Sequence, residues 1–136
     1  MKNKIKFNHL GLAVKRFSDA LAFYKNLGYH CTDPVIDSLQ NVEIILCTSV
    51  KFPTVELIKP INDKSSIIDY LNEYSEMIYH ICYEVENIET INKLFSNNRA
   101  ICVSEPQPAI LFDNRLVSFY YIPNVGLVEV LQKDAN

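Results

Sequence analysis

No two cysteines of this chain stand at C-x-x-C spacing, and the absence is informative. Cys31, Cys47, Cys82 and Cys102 are widely separated, each in a strand-like apolar run, which suits buried, reduced thiols. An excess of positive charge is missing too. Thirteen Lys and Arg against 16 Asp and Glu leave a net charge of −3, which disfavours a polyanionic partner such as a nucleic acid. No run approaches the ~20 apolar residues of a membrane helix. Met1-Lys2-Asn3-Lys4-Ile5 passes straight into strand material, without the apolar stretch of about 7–15 residues that a secretion signal carries. Membrane insertion and secretion are therefore not expected, and the compartment reads as cytoplasmic. What is present is an ordinary globular composition of 136 residues, 49% hydrophobic and 21% charged. A domain of that length buries roughly two-thirds of the surface its unfolded chain exposes, so it holds a core without a disulfide or metal staple.

Along the chain, Lys4 to Val14 reads as a strand. Phe17 to Leu27 reads as a helix, with Ala20, Leu21, Phe23, Tyr24 and Leu27 at helical spacing, Gly28 as its stop and Ser18 or Asp19 serving its first turn. Strands are expected over Tyr29 to Val35, Val42 to Thr48 and Thr54 to Lys59. A polar connector from Pro60 to Ser66 leads into a short helix from Ile67 to Tyr74. The order then repeats: strand Met77 to Val85, helix Ile88 to Ser96 behind the cap-like Asn87, and strands Ala100 to Ser104, Leu116 to Ile122 and Leu127 to Gln132. The Pro-rich stretch Glu105 to Pro108 separates the first two of these. The expectation is one domain over 1–136, with a module at about 4–60, a linker helix at about 64–75 and a second module at about 77–133.

Polar groups sit at matching places in this repeat. Tyr79-His80-Ile81-Cys82-Tyr83-Glu84-Val85 alternates like a strand, with Ile81, Tyr83 and Val85 on one face and His80, Cys82 and Glu84 on the other, less apolar one. Asn8-His9-Leu10-Gly11-Leu12-Ala13-Val14 places His9 in the same way. His80 follows His9 by 71 residues (80 − 9), and Glu129 in Val128-Glu129-Val130-Leu131 follows Glu56 in Val55-Glu56-Leu57-Ile58 by 73 (129 − 56). A carboxylate between valines and leucines costs several kcal/mol to desolvate unless it is paired or coordinated. Two imidazoles and two carboxylates, with no thiolate forcing a tetrahedron, suit a divalent metal such as Zn, Ni, Co, Mn or Fe. Glu43, Glu84 and Glu86 read as solvated or strand-edge charges, Cys82 as a small core filler, and His30 has no counterpart in the repeat. Arg115 is a cation placed either to meet an anionic substrate or to form a surface salt bridge.

These halves and their four residues resemble the vicinal oxygen chelate (glyoxalase, bleomycin resistance and dioxygenase) superfamily. The stretches quoted above, with Lys59-Pro60 after the first glutamate and Gly126-Leu127 before the second, look most like glyoxalase I and methylmalonyl-CoA epimerase. The resemblance covers nearly the whole chain. It implies an α+β fold, two tandem βαβββ modules whose mixed sheets form a cup around one metal site, with His9, Glu56, His80 and Glu129 as ligands. It further implies a lyase or isomerase that stabilises an enediolate or enolate while a carboxylate, Glu129 or Glu56, moves a proton next to a carbonyl. The substrate would be a small thioester or thiol adduct and the protein a homodimer; Arg115, from its own place before a strand rather than from the resemblance, is the residue expected to meet that substrate. An epimerase-like arrangement would carry a further glutamate near Asp37-Ser38-Leu39-Gln40-Asn41, where this chain has Leu39 at the matching place and Asp37 as the nearest acid. The alternative from the same superfamily is a non-catalytic, drug-resistance-like protein that binds a small molecule. Such proteins commonly lack the full ligand set.

Overall fold

The computed structural model describes Lys4–Asp134, and of Asn92 only the backbone. Its elements follow the expected order: β1 (Lys6–Ala13), α1 (Ser18–Asn26), β2 (His30–Cys31), β3 (Val35–Asp37), β4 (Val42–Thr48), β5 (Val55–Pro60) and α2 (Ile68–Tyr74). After these come β6 (Met77–Val85), α3 (Ile88–Ser96), β7 (Ile101–Ala109), a 3-10 turn (Ile110–Phe112), β8 (Arg115–Ile122) and β9 (Gly126–Gln132). The architecture is α+β with mixed strands. Among the described residues, no helix is long and apolar enough to cross a membrane. Contacts divide the chain into two units, one of His9–Tyr79 and one that joins the residues up to Asn8 to those from His80 onward.

In the first unit the strands run in the order β2-β4-β5-β1, with β3 also on β4. β1 is parallel to β5, and β4 is antiparallel to β5, β2 and β3. Helix α1 packs the partly buried Ala20, Leu21 and Tyr24 onto a core of Tyr29, Ile45, Cys47, Val55 and Leu57. The expected linker helix, α2, belongs to this unit and is anchored by fully buried Leu71 and Ile67. The expected single strand from Tyr29 to Val35 is broken in two. At Thr32 the side-chain hydroxyl, rather than the carbonyl, accepts from the Leu46 N–H, and Pro34 has no N–H to give. Pairing resumes one residue out of step, from Cys31 opposite Cys47 to Val35 opposite Ile44, which is a bulge.

The second unit repeats the plan as β6-β9-β8-β7, with β6 parallel to β9 and the other neighbours antiparallel. Helix α3 covers it with buried Ile88 and Ile91, which pack on Val85, Tyr120 and Val130. Its cap is the expected one, since Asn87 Oδ1 accepts from the Glu89 N–H at 2.9 Å. Here the Pro-rich stretch does not separate two elements: β7 runs through Pro106 and Pro108 to Ala109, with two register shifts against β8. β7 ends the strand order of its unit, and a terminal strand tolerates a residue that cannot donate to the ladder. That position also corrects the expectation for Cys102, which is exposed on β7, while Cys47 and Cys82 are buried and Cys31 half-buried.

Candidate functional site

Each unit brings one histidine to one glutamate. In the first, Gly11 of β1 stands opposite Glu56 of β5. Paired residues of parallel strands point to one face, as do residues two apart along a strand, so His9, Gly11 and Glu56 share a face. His9 Nε2 lies 3.3 Å from Glu56 Oε2. In the second, Cys82 of β6 stands opposite Glu129 of β9, which puts His80 and Glu129 on one face by the same rule. His80 Nε2 lies 3.3 Å from Glu129 Oε1. All four are buried, with His9 at 0%, Glu56 at 4%, His80 at 3% and Glu129 at 2% exposure. The face carrying His80 and Cys82, less apolar in sequence, is thus the buried one, and Ile81 and Tyr83 are only half-buried. Polar content misleads here because each imidazole stands against a carboxylate, away from water.

The spacing tests whether these residues fit a metal. A charged N–H···O bond closes to about 2.7–2.9 Å, shorter than either pair. Two donor atoms each about 2.1 Å from one ion, with 90–109° between them, lie about 3.0–3.4 Å apart. Both pairs therefore have the separation of adjacent ligands. Each pair, one imidazole and one carboxylate, is a buried nitrogen and oxygen donor set of the kind a divalent ion accepts.

Around the second pair, Phe119 of β8 is opposite Glu129 and sets its ring edge-on to His80, centroids 5.4 Å apart. Sequence reasoning missed Phe119. The sign was the poor alternation of its strand, where Val117, Ser118, Phe119 and Tyr120 are all buried because β8 is covered on both faces. Cys82 is core material with Ala109, Val117 and Leu131, as expected. Arg115 is half-buried: its Nη1 donates to Glu84 Oε1 at 2.7 Å, and the guanidinium stands 5.8 Å from the Phe112 ring centroid. A role toward an anionic substrate would have to use its other donors. Asp37, the acid nearest the place of a further glutamate, is buried and accepts from the Gln40 backbone N–H at 3.1 Å and from Gln40 Nε2 at 3.0 Å. Leu39 is 61% exposed.

Each half runs strand, helix, three strands, the first of the three being broken into β2 and β3 in the first half, with a histidine in the first strand and a glutamate in the last; this defines a protein of two βαβββ modules. Residues 8–119 match the family model of the Glyoxalase/Bleomycin resistance protein/Dioxygenase superfamily, and the chain belongs to that superfamily. The mitochondrial methylmalonyl-CoA epimerase of Dictyostelium discoideum is 29% identical over 133 residues, covering 94% of this chain and 78% of that protein. The ethylmalonyl-CoA/methylmalonyl-CoA epimerase of Cereibacter sphaeroides is 29% identical over 118 residues, covering 85% and 87%. Among solved structures, methylmalonyl-CoA epimerase from Mycobacterium tuberculosis aligns at a TM-score of 0.83 over 95% of this chain and 88% of that one; the identity is 18%, so the likeness speaks for the fold. The expected superfamily and α+β fold are borne out, and so is the expectation of an enzyme, since these relatives are isomerases. They support the epimerase side of the resemblance and not the lyase side.

Proposed function

We propose that this chain is an epimerase-type isomerase acting on the CoA thioester of a 2-substituted malonate, with His9, Glu56, His80 and Glu129 holding one divalent metal ion. The observation that carries the reading is the repeated pair, a buried His Nε2 at 3.3 Å from a buried carboxylate on the parallel first and last strands of each half. The substrate class is carried over from the epimerase relatives. In such a substrate the reacting carbon lies between a thioester carbonyl and a carboxylate, so its proton is acidic. A bound ion supplies Lewis-acid stabilisation of the charge that develops on the carbonyl oxygens.

Inverting that carbon requires a proton to leave one face and return on the other. Glu56 and Glu129, one from each half, are the groups assigned to this exchange: one carboxylate oxygen takes the proton while the other, protonated, delivers its own. A separate base is not invoked, because Asp37 is already engaged by Gln40. Burial of all four residues keeps bulk water from competing for the proton. A homodimer is carried over from the superfamily and is read by sedimentation.

The test is proton exchange at the α-carbon of methylmalonyl-CoA in deuterated buffer, alongside metal analysis of the same sample. The expected result is exchange, with about one divalent ion per chain. If fewer than about a tenth of chains hold any divalent ion after reconstitution, the metal assignment fails. Retention of the thioester without exchange would favour a binding protein, and full activity of Glu129→Gln would remove that residue from proton transfer.

A further inference from the structure

Cys31 and Cys47 occupy a place that the metal chemistry does not use. They are directly opposite one another on β2 and β4. The ladder fixes what kind of pair they are. The Thr32 N–H donates to the Leu46 carbonyl at 2.9 Å, and the Leu46 N–H donates to Thr32 Oγ1 at 3.0 Å, so the 32/46 position is hydrogen-bonded across the strands. Hydrogen-bonded and non-hydrogen-bonded positions alternate in an antiparallel pair, which makes 31/47 non-hydrogen-bonded. At such positions the Cα atoms approach to about 4.5 Å and the side chains are closest. A disulfide spans Cα separations of about 4.4–6.8 Å, so the two thiols stand at the short end of the range one bond can bridge.

We propose that Cys31 and Cys47 form a reversible dithiol–disulfide pair, a redox modification site that a peroxide oxidises. β2 is only two residues long and ends the strand order of its unit, so the Cys31 side can adjust to the bond. Their different surroundings set the order of events. Cys47 is fully buried among Tyr29, Ile45, Val55 and Leu57. Burial first, and then the neighbouring Cys31 thiol, push its own thiol up to about 12, so Cys47 stays protonated and does not begin the reaction. Cys31 is half-buried and within reach of solvent. Its thiolate attacks one peroxide oxygen, the O–O bond breaks, and a sulfenic acid and one water result. Cys47 sulfur then attacks the Cys31 sulfur, its proton leaves with the departing hydroxide as a second water, and the S–S bond forms. Two thiols are oxidised and one peroxide is reduced to two waters. The bond would lie on a two-residue terminal strand with Cys31 within reach of solvent, and solvent-accessible disulfides are the readily reduced ones.

The experiment uses the full chain carrying Cys102→Ser, which removes the exposed thiol, and hydrogen peroxide as the oxidant. Thiols counted after unfolding should fall from three to one on oxidation and return to three with dithiothreitol. Both cysteines lie between Lys25 and Lys51, a stretch without Lys or Arg, so trypsin releases them together on one peptide. That peptide should be lighter by two hydrogens, and cleavage after Glu43 should split it only once it has been reduced. Cys82 should remain alkylatable, and adding Cys31→Ser should hold the count at two throughout. Recovery of Cys31 and Cys47 both alkylated after peroxide, or Cys31 driven to a sulfinic acid with Cys47 still a thiol, would overturn the proposal.

Discussion

The two halves share a strand plan and agree most closely where their metal-ligand candidates lie, and they differ in the helices and strands around those positions. In each, a histidine on the first strand meets a glutamate on the last at 3.3 Å, with the glutamate opposite the small residue two positions beyond the histidine. Away from those strands the first half has a helix with no side-chain cap and no fully buried residue, a strand broken at Thr32, and Leu46 opposite its glutamate. The second half has a capped helix with Ile88 and Ile91 buried, an unbroken nine-residue strand through two prolines, and Phe119 opposite its glutamate. Parallel pairing of first and last strand, in one register, is thus the part of the repeat that the buried polar residues depend on. The helices and outer strands carry none of the four residues, and they are where the halves differ.

That comparison can be broken most severely at the carboxylates. Glu129→Gln and Glu56→Gln should each lower α-proton exchange by about 10²–10⁴-fold with the unfolding midpoint little changed. A loss in one variant alone would show that a single half carries the proton. Metal content should fall alike in His9→Ala and His80→Ala, measured on purified protein, and an unequal fall would break the equivalence of the pairs. Next in size are the helices. Ile91→Ala should cost about 2–5 kcal/mol in urea unfolding, and Leu21→Ala, only partly buried on α1, clearly less. The caps sharpen the contrast further: Asn87→Ala should cost about 1 kcal/mol, and Ser18→Ala, which removes no cap bond, less than about 0.5 kcal/mol. In the same low range is the Arg115–Glu84 pair at 2.7 Å, half-buried, for which a double-mutant cycle should give about 0.2–1 kcal/mol.

Much of this plan is legible in the sequence, because period-2 and period-3.6 patterns report local structure directly. The bounds of β4, β6 and α3 and the Asn87 cap coincide with the expected ones. The repeat also made His9, Glu56, His80 and Glu129 stand out, since polar groups at matching places in apolar strands need a common reason. What was not legible depends on neighbours distant in sequence. Whether Pro106 ends a strand depends on whether that strand has a partner on both sides. The break at Thr32 depends on a hydroxyl taking a ladder bond from Leu46, fourteen residues on. Alternation in β6 marks two faces without saying which is covered, and the arginine at 115 could not be placed until Glu84 was seen beside it. The exposure of Cys102 has the same origin, since an apolar run at the end of a strand order has nothing on its far side.

The closing of each half by its first and last strands also bears on how the protein is made. His9 and Glu56 are 47 residues apart in the chain (56 − 9), and His80 and Glu129 are 49 apart (129 − 80). Contacts at such separation form only after the loop between them has been ordered, and parallel pairing is slow for that reason. A folding chain therefore holds single histidines and glutamates, each a weak grip on any cation, until the last strand of its half docks. Under the proposed metal assignment, ion capture comes at the end of folding, so refolding rates should be the same with and without divalent metal, while the unfolding rate of the loaded protein falls.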